Sequence, residues 1–294
     1  MDWMLVLKVS LAFIVLAMAA RADWRTREAS DLYWVFLGGA GMVFLAAQII
    51  LDGAEPAYLL ILLPIGLFFA DIFWERKGMF EDGVNVVPLA MYAAGFAVLG
   101  AMVYLYSSDL YFWKLMLIPI LFLVFILLYQ FDVIKGGADA KALIALSIML
   151  PLYPVIGPFP LIAIPFDTAQ FVLPFPLLVL FNAALLTLAV PVFMLFRNLA
   201  GGQVRFPAML FGRPMPVAEA RDRFVWPMER YEDGKLKLSL FPGPSEDTAA
   251  DLDKLSAAGI EEVWVTPKIP FLIPITAALL FSVIVGNLLF LFFR

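Results

Sequence analysis

Two aspartates are the residues of this chain whose type and placement could do chemistry together. Asp23 closes a long apolar run in AMAARADWRTREASDLYW, and Asp139 opens another in KGGADAKAL, 116 positions further on. Close like charges do not readily both ionise, so two facing carboxylates hold one proton between them. The ionised member then acts as general base on a water, while the protonated one hydrogen-bonds and polarises a carbonyl. That is the chemistry of aspartic peptide hydrolysis. The composition leaves few other routes, because the 294 residues include neither His nor Cys. Thiolate nucleophiles, disulfides, Cys-ligated metals and Ser-His-Asp catalysis are excluded, and the commonest metal ligand goes with His. No metal and no other cofactor is expected.

Each acid also has an ordinary use. An Asp in the first turn of a helix caps it or pairs with its macrodipole, and Asp139 stands in such a position. Asp23 precedes Arg25 and Arg27, which could hold it in an interfacial ion pair. Asp31, Asp71, Glu75, Glu81, Asp82 and Asp132 compete as acids near the same face, and Asp71 is placed to line the interior. Gly136, Gly137 and Ala138, just before Asp139, support the catalytic reading. Glycine admits unusual backbone angles and lets another chain come close, as an extended peptide lying against the acid requires. A plain turn before a helix would use Gly-Gly as well. Lys141, about 3 Å along the axis from Asp139, either acts on that acid or snorkels to the headgroups; snorkelling is the preferred expectation.

The elements that must position these residues are membrane helices. The chain is 63% hydrophobic and 15% charged, with a mean hydropathy of +0.93, whereas soluble domains are about 45–50% apolar and about 25% charged. Runs of the roughly 17–25 residues that cross a bilayer fall at 3–20, 32–51, 57–74, 84–106, 112–130, 138–154, 171–197 and 270–293. The first starts Met-Asp-Trp without a basic region before it, so it reads as a retained span rather than a leader. The apolar but Pro-rich stretch at 155–170 reads as a partly interfacial loop, since Pro breaks helices. With the N-terminus outside, 17 of the 20 basic residues lie in inner segments, as the positive-inside rule asks. Lys8, Lys114 and Arg294 fall outside. Both acids then face the cytoplasm. A net charge of -5 without a basic patch gives no sign of nucleic acid.

One polar insert interrupts the pattern. FVWPMERYEDGKLKLSLF reads as two short strands around the turn dipeptide Asp233-Gly234. SEDTAADLDKLSAAG reads as a helix with Ser245 as N-cap and Gly259 at its C-terminal end, and IEEVWVTP as a strand leading back to the membrane. Trp226, Phe241, Trp264 and the alternating Leu residues are expected to supply the core.

Gly136-Gly137-Ala138-Asp139 followed by Ala140-Lys141 resembles the G-x-hydrophobic-D motif of the GxGD or GxHyD membrane aspartyl proteases. Asp23-Trp24-Arg25-Thr26-Arg27-Glu28 is similar to the first-aspartate motif of the type IV prepilin peptidases. The archaeal branch, which includes the preflagellin peptidases, fits best, and WVTPKIPFLIPI resembles its segment leading into a last span. The resemblance implies that Asp23 and Asp139 are catalytic, and that pilin-like or archaellin precursors lose a short basic leader at the cytoplasmic face of the cell membrane. Gly136 corresponds to the first glycine of the family's motif, and Gly136, Gly137 and Ala138 are the expected substrate-binding residues. Three departures stand out: Glu28-Ala29-Ser30 replaces the usual Glu-Ile-Pro, the two aspartates are far apart, and no zinc-binding cysteine module is present. A presenilin-like protease is the alternative, although the first Asp follows Ala22 rather than Tyr and no Pro-Ala-Leu motif occurs. A small-solute transporter is a further alternative.

The expected fold is therefore an all-α polytopic membrane protein of about eight transmembrane helices, with a small α+β cytoplasmic domain inserted before the last helix. Residues 1–197 form the membrane domain with both aspartates, 198–269 the cytoplasmic domain and 270–294 the last helix. The expected partners are the precursor substrates and the lipid bilayer, with no nucleic acid; oligomeric state is not legible.

Overall fold

The computed structural model describes residues 2–293 except 78–79, 81–82, 167, 233–234 and 243–247. Its helices run α1 Asp2–Thr26, α2 Asp31–Leu51, α3 Leu62–Asp71, α4 Val86–Tyr106, α5 Leu110–Gln130, α6 Gly137–Met149, α7 Ala169–Val172, α8 Phe175–Thr187 and α9 Ala189–Ala200. The short helix α10 is Val217–Arg221, α11 is Thr248–Ala257, and α12 is Leu272–Ile284. A 3₁₀ turn, Pro56–Ile61, runs directly into α3. The chain divides into two compact units, one of residues 1–183 with 270–294 and one of residues 184–269.

Among the described residues, six helices or helix pairs are long and apolar enough to cross a membrane, including Asp31–Leu51, Leu110–Gln130 and Phe175–Ala200. This makes the chain a multi-pass membrane protein; six of the eight expected spans have that length, and the other two are shorter. The expected third span is a 3₁₀–α run, Pro56–Asp71, and the expected sixth is the 13-residue α6. Leu150 precedes Pro151, and a residue before proline is pushed out of helical geometry, which ends α6 early. The seventh breaks at Leu188 into α8 and α9. Pro191 carries no N–H for the carbonyl four residues back, which is that of Thr187, where α8 ends.

Helix ends follow local chemistry. Ser30 caps α2 by accepting the Leu32 N–H at 3.3 Å, and Asp109 caps α5 by accepting that of Tyr111 at 2.8 Å. At the far end of α5 the Val133 and Ile134 N–H groups both reach the Leu128 carbonyl, at 2.9 and 3.0 Å. Asp132 turns the chain there with a φ of +56°, a conformation Asp tolerates better than most residues.

In the membrane unit α6 is the hub. It packs most extensively on α2, then on α5, and less on α1 and α12. Its residues from Ala142 to Met149 are all buried. Close approach to α2 depends on Gly41: a Cβ there would lie 3.0 Å from the Met149 nitrogen and 3.0 Å from Ile148 Cγ2. Gly38, one turn earlier, leaves room for the Phe69 ring from α3. Small residues at helix crossings are the usual means of bringing membrane helices together. Asn182 on α8 and Ser282 on α12 add a buried hydrogen bond at 2.8 Å.

The second unit contains the strands β1 Arg213–Pro216, β2 Val225–Pro227, β3 Glu229–Glu232, β4 Lys235–Leu238 and β5 Glu262–Pro267. β5 lies between β1 and β2, antiparallel to both, and β3 pairs with β4. The expected hairpin and helix are thus present, with Gly259 at a φ of +73° after α11. Asp233-Gly234 and Ser245 lie outside the described residues. The core differs from expectation. Val225, Leu252, Leu255, Val263 and Val265 build it, and Met228 and Trp264 pack in a second cluster. Phe241 is 77% exposed, and Leu236 and Leu238 are also exposed, because β4 is an edge strand without a covering layer.

Candidate active site

Asp23 lies in the last turn of α1 and is half-buried. The turn is closed locally, with the Arg27 N–H on the Asp23 carbonyl at 2.9 Å and the Thr26 hydroxyl on that of Ala22 at 3.0 Å. The Arg27 guanidinium sits over the Trp24 ring, 5.5 Å from its centroid, and within electrostatic range of the Asp23 carboxylate.

Asp139 is the third residue of α6 and only 9% exposed. The loop from α5 aims it: Ile134 is buried as an anchor, and Gly136 is the N-cap, its carbonyl accepting the Ala140 N–H at 3.1 Å. The carboxylate folds back over Gly136. A Cβ built at that position would stand 2.2 Å from Asp139 Oδ2. Gly136 itself has φ -92° and ψ 122°, which any residue adopts. Space for the acid is therefore what the glycine supplies, and the unusual backbone angle expected from the sequence is not used. Gly137 is looser: a Cβ there would meet only the Tyr129 hydroxyl, at 3.5 Å. Ala138 is half-buried against the core in the same turn.

The two acids come together. The fold sets the Asp23 carboxylate near enough to Asp139 for their charges to act on each other, and α1 packs on α6. Like charges in a partly buried place favour a shared proton, so the pair can supply a base and an acid at once.

The competing acids have other engagements. Asp31 accepts both Lys141 Nζ contacts, at 2.7 and 2.8 Å, and the same ammonium lies over the Phe73 ring at 5.2 Å. Lys141 therefore does not snorkel; it ties the start of α6 to the start of α2. Asp71 accepts from Arg76 Nε at 2.9 Å and from the Tyr92 hydroxyl at 2.6 Å. Glu28, Glu75 and Asp132 are exposed, and Glu81 and Asp82 lie outside the described residues. Sequence reasoning overlooked Tyr129, whose hydroxyl flanks Gly137, although its place one residue before the end of an apolar run marked it as interfacial. No group of three or more His, Cys, Asp or Glu residues among those described could hold a metal ion.

Comparison with known proteins adds a lineage to this geometry. The family described as Archaeal Peptidase A24 C-terminus Type II matches residues 204–288. A preflagellin peptidase of Methanococcus voltae is 31% identical over 159 residues, which are 52% of this chain and 64% of that protein. Preflagellin peptidases of Methanocaldococcus jannaschii and Methanococcus maripaludis are each 29% identical over 76% of this chain, covering 92% and 93% of theirs. These likenesses do not favour the presenilin-like or solute-transporter readings.

Proposed function

We propose that this chain, which is similar to preflagellin peptidases and matches the archaeal peptidase C-terminal family over residues 204–288, is an aspartic endopeptidase that removes the short basic leader from pilin-like or archaellin precursors. Asp23 and Asp139 are its catalytic pair. The observation that carries the reading is the meeting of these two acids from 116 positions apart, in a chain with no His or Cys to support another hydrolytic mechanism. The active face is the cytoplasmic side of the cell membrane, where residues 198–269 also lie as a cytoplasmic domain. The basic leader approaches the exposed acids Glu28, Glu75 and Asp132 while the precursor's apolar segment stays in the bilayer. Gly136, Gly137 and Ala138 border the bound peptide.

In the reaction, the ionised carboxylate takes a proton from water as the water oxygen attacks the scissile carbonyl carbon. The protonated carboxyl gives its proton to the carbonyl oxygen. Collapse of the resulting gem-diol returns one hydroxyl proton to the pair, the nitrogen receives the other proton from the pair, and the C–N bond breaks. The pair ends as it began, with one shared proton.

Co-expression with an epitope-tagged preflagellin or prepilin tests this, with loss of the leader read by gel mobility. Asp23→Asn and Asp139→Asn should each abolish processing while the protein still accumulates in membranes. Intact processing in both variants would remove the pair from the mechanism.

A further inference from the structure

The end of the membrane unit away from Asp139 holds a second cluster of ionisable groups, which the peptidase reaction does not use. Lys8, on α1, is only 3% exposed. A charged side chain at such a place in a membrane helix is costly and is kept where it has work to do. Its ammonium donates to Gln48 Oε1 on α2 at 2.7 Å, yet an ammonium carries three N–H donors. Among the described residues no carboxylate forms an ion pair with it. Beside it is a cavity of 240 Å³, walled by Lys8, Gln48, Asp52, Tyr111, Lys114 and Leu150 among others. Among the described residues Asp52 is the only acid in that wall, and it accepts the Tyr111 hydroxyl at 3.1 Å. Two lysines against one engaged carboxylate leave the cavity net positive.

We propose that this cavity binds a phosphate group, with Lys8 and Lys114 of its wall as the cationic ligands and Tyr111 beside them. Asp52 lies within electrostatic range of Lys8 without forming an ion pair with it, so an anion in the cavity supplies the direct counter-charge and hydrogen bonds under which a desolvated charge is tolerated. The volume equals roughly eight waters at about 30 Å³ each, which admits a phosphate headgroup but not the acyl chains of a lipid. The site is separate from the catalytic pair: Lys8 precedes Asp23 by fifteen positions on one helix, or about 22 Å at 1.5 Å per residue. The phosphate comes either from a phospholipid headgroup at the membrane surface or from free inorganic phosphate.

The full chain, purified in a neutral detergent, distinguishes these sources. Native mass spectrometry after addition of phosphatidylglycerol should show one retained lipid per protein, reduced at least five-fold in Lys114→Met and in Lys8→Met. Thermal unfolding followed by Trp fluorescence should show a rise in Tm with the same lipid, and no rise with a phosphate-free diacylglycerol. A rise with millimolar inorganic phosphate but not with equimolar chloride would assign the site to the free ion. Equal lipid retention and equal Tm gain in wild type and both variants would overturn the proposal, as would the absence of any effect from either phosphate source.

Discussion

Gly136 shows how a single missing methyl group can decide a site. Its backbone angles suit any residue, but the Asp139 carboxylate occupies the space a Cβ would take, 2.2 Å from Oδ2. Gly136→Ala should therefore push the acid out of line with Asp23 and lower precursor cleavage by about 100-fold, the usual cost of a misplacement near 1 Å. Gly137→Ala meets only the Tyr129 hydroxyl, at 3.5 Å, and alanine is the better helix former, so its cleavage rate should stay within a few-fold of wild type. Quantified processing at matched membrane levels separates the two. The pair Asp31 and Lys141 calls for a different experiment, because their side chains are 51% and 25% exposed. Screening limits such a pair to about 1 kcal/mol or less. Its value is in orienting α6, so Asp31→Lys and Lys141→Asp should each slow cleavage, and the double exchange should recover most of the rate. The sequence displayed both residues but not their pairing, since nothing in a spacing of 110 positions reveals that two helix starts are neighbours.

Helix packing explains why Asp23 and Asp139, the proposed catalytic acids, converge. From Ala142 to Met149 α6 is buried on every side, so that stretch carries no helical stripe from which its neighbours could be read. Its partner declares itself instead through glycine. Gly41 stands against the backbone of Ile148 and Met149, whereas Gly39 has nothing within 4 Å of a built Cβ. Gly41→Leu should force α2 and α6 apart, lowering both Tm and the rate of cleavage; Gly39→Leu should alter neither appreciably. Thermal unfolding in detergent together with the processing assay checks both. The run Gly38-Gly39-Ala40-Gly41 was visible in the sequence as a small-residue patch in an apolar span, but only the fold tells which of its members faces a helix. Position along the chain was the more legible part: every expected span begins or ends within a few residues of a helix or helix pair. Span length was not, because Pro151 and Pro191 cut apolar runs that hydropathy alone treats as continuous.

The course of the whole membrane unit rests on one segment too short to be counted by length, Pro56–Asp71. Tyr58 donates to Asp109, Tyr106 to Glu55 at 2.8 Å and Tyr111 to Asp52 at 3.1 Å, which gathers the start of the 3₁₀ turn, the end of α4, the start of α5 and the end of α2 at one end. Phe73, just after α3, lies under Lys141 beside Asp31, at the other end with the starts of α2 and α6. The sixteen residues from Pro56 to Asp71 therefore pass from end to end of the bundle. A six-residue 3₁₀ turn and ten α-helical residues rise about 27 Å, close to the roughly 30 Å of a bilayer core. If this segment did not cross, α5 would deliver Asp139 to the face opposite Asp23, and the pair could not form. The absence of native cysteine makes the crossing directly measurable. Single cysteines at Glu28 and Val133 should react with a membrane-impermeant maleimide from the same side of oriented vesicles. Gly53→Cys and Ser108→Cys should react from the other. If Val133→Cys labelled together with Ser108→Cys, the end-to-end course of Pro56–Asp71 would be wrong, and with it the shared face on which Asp23 and Asp139 meet.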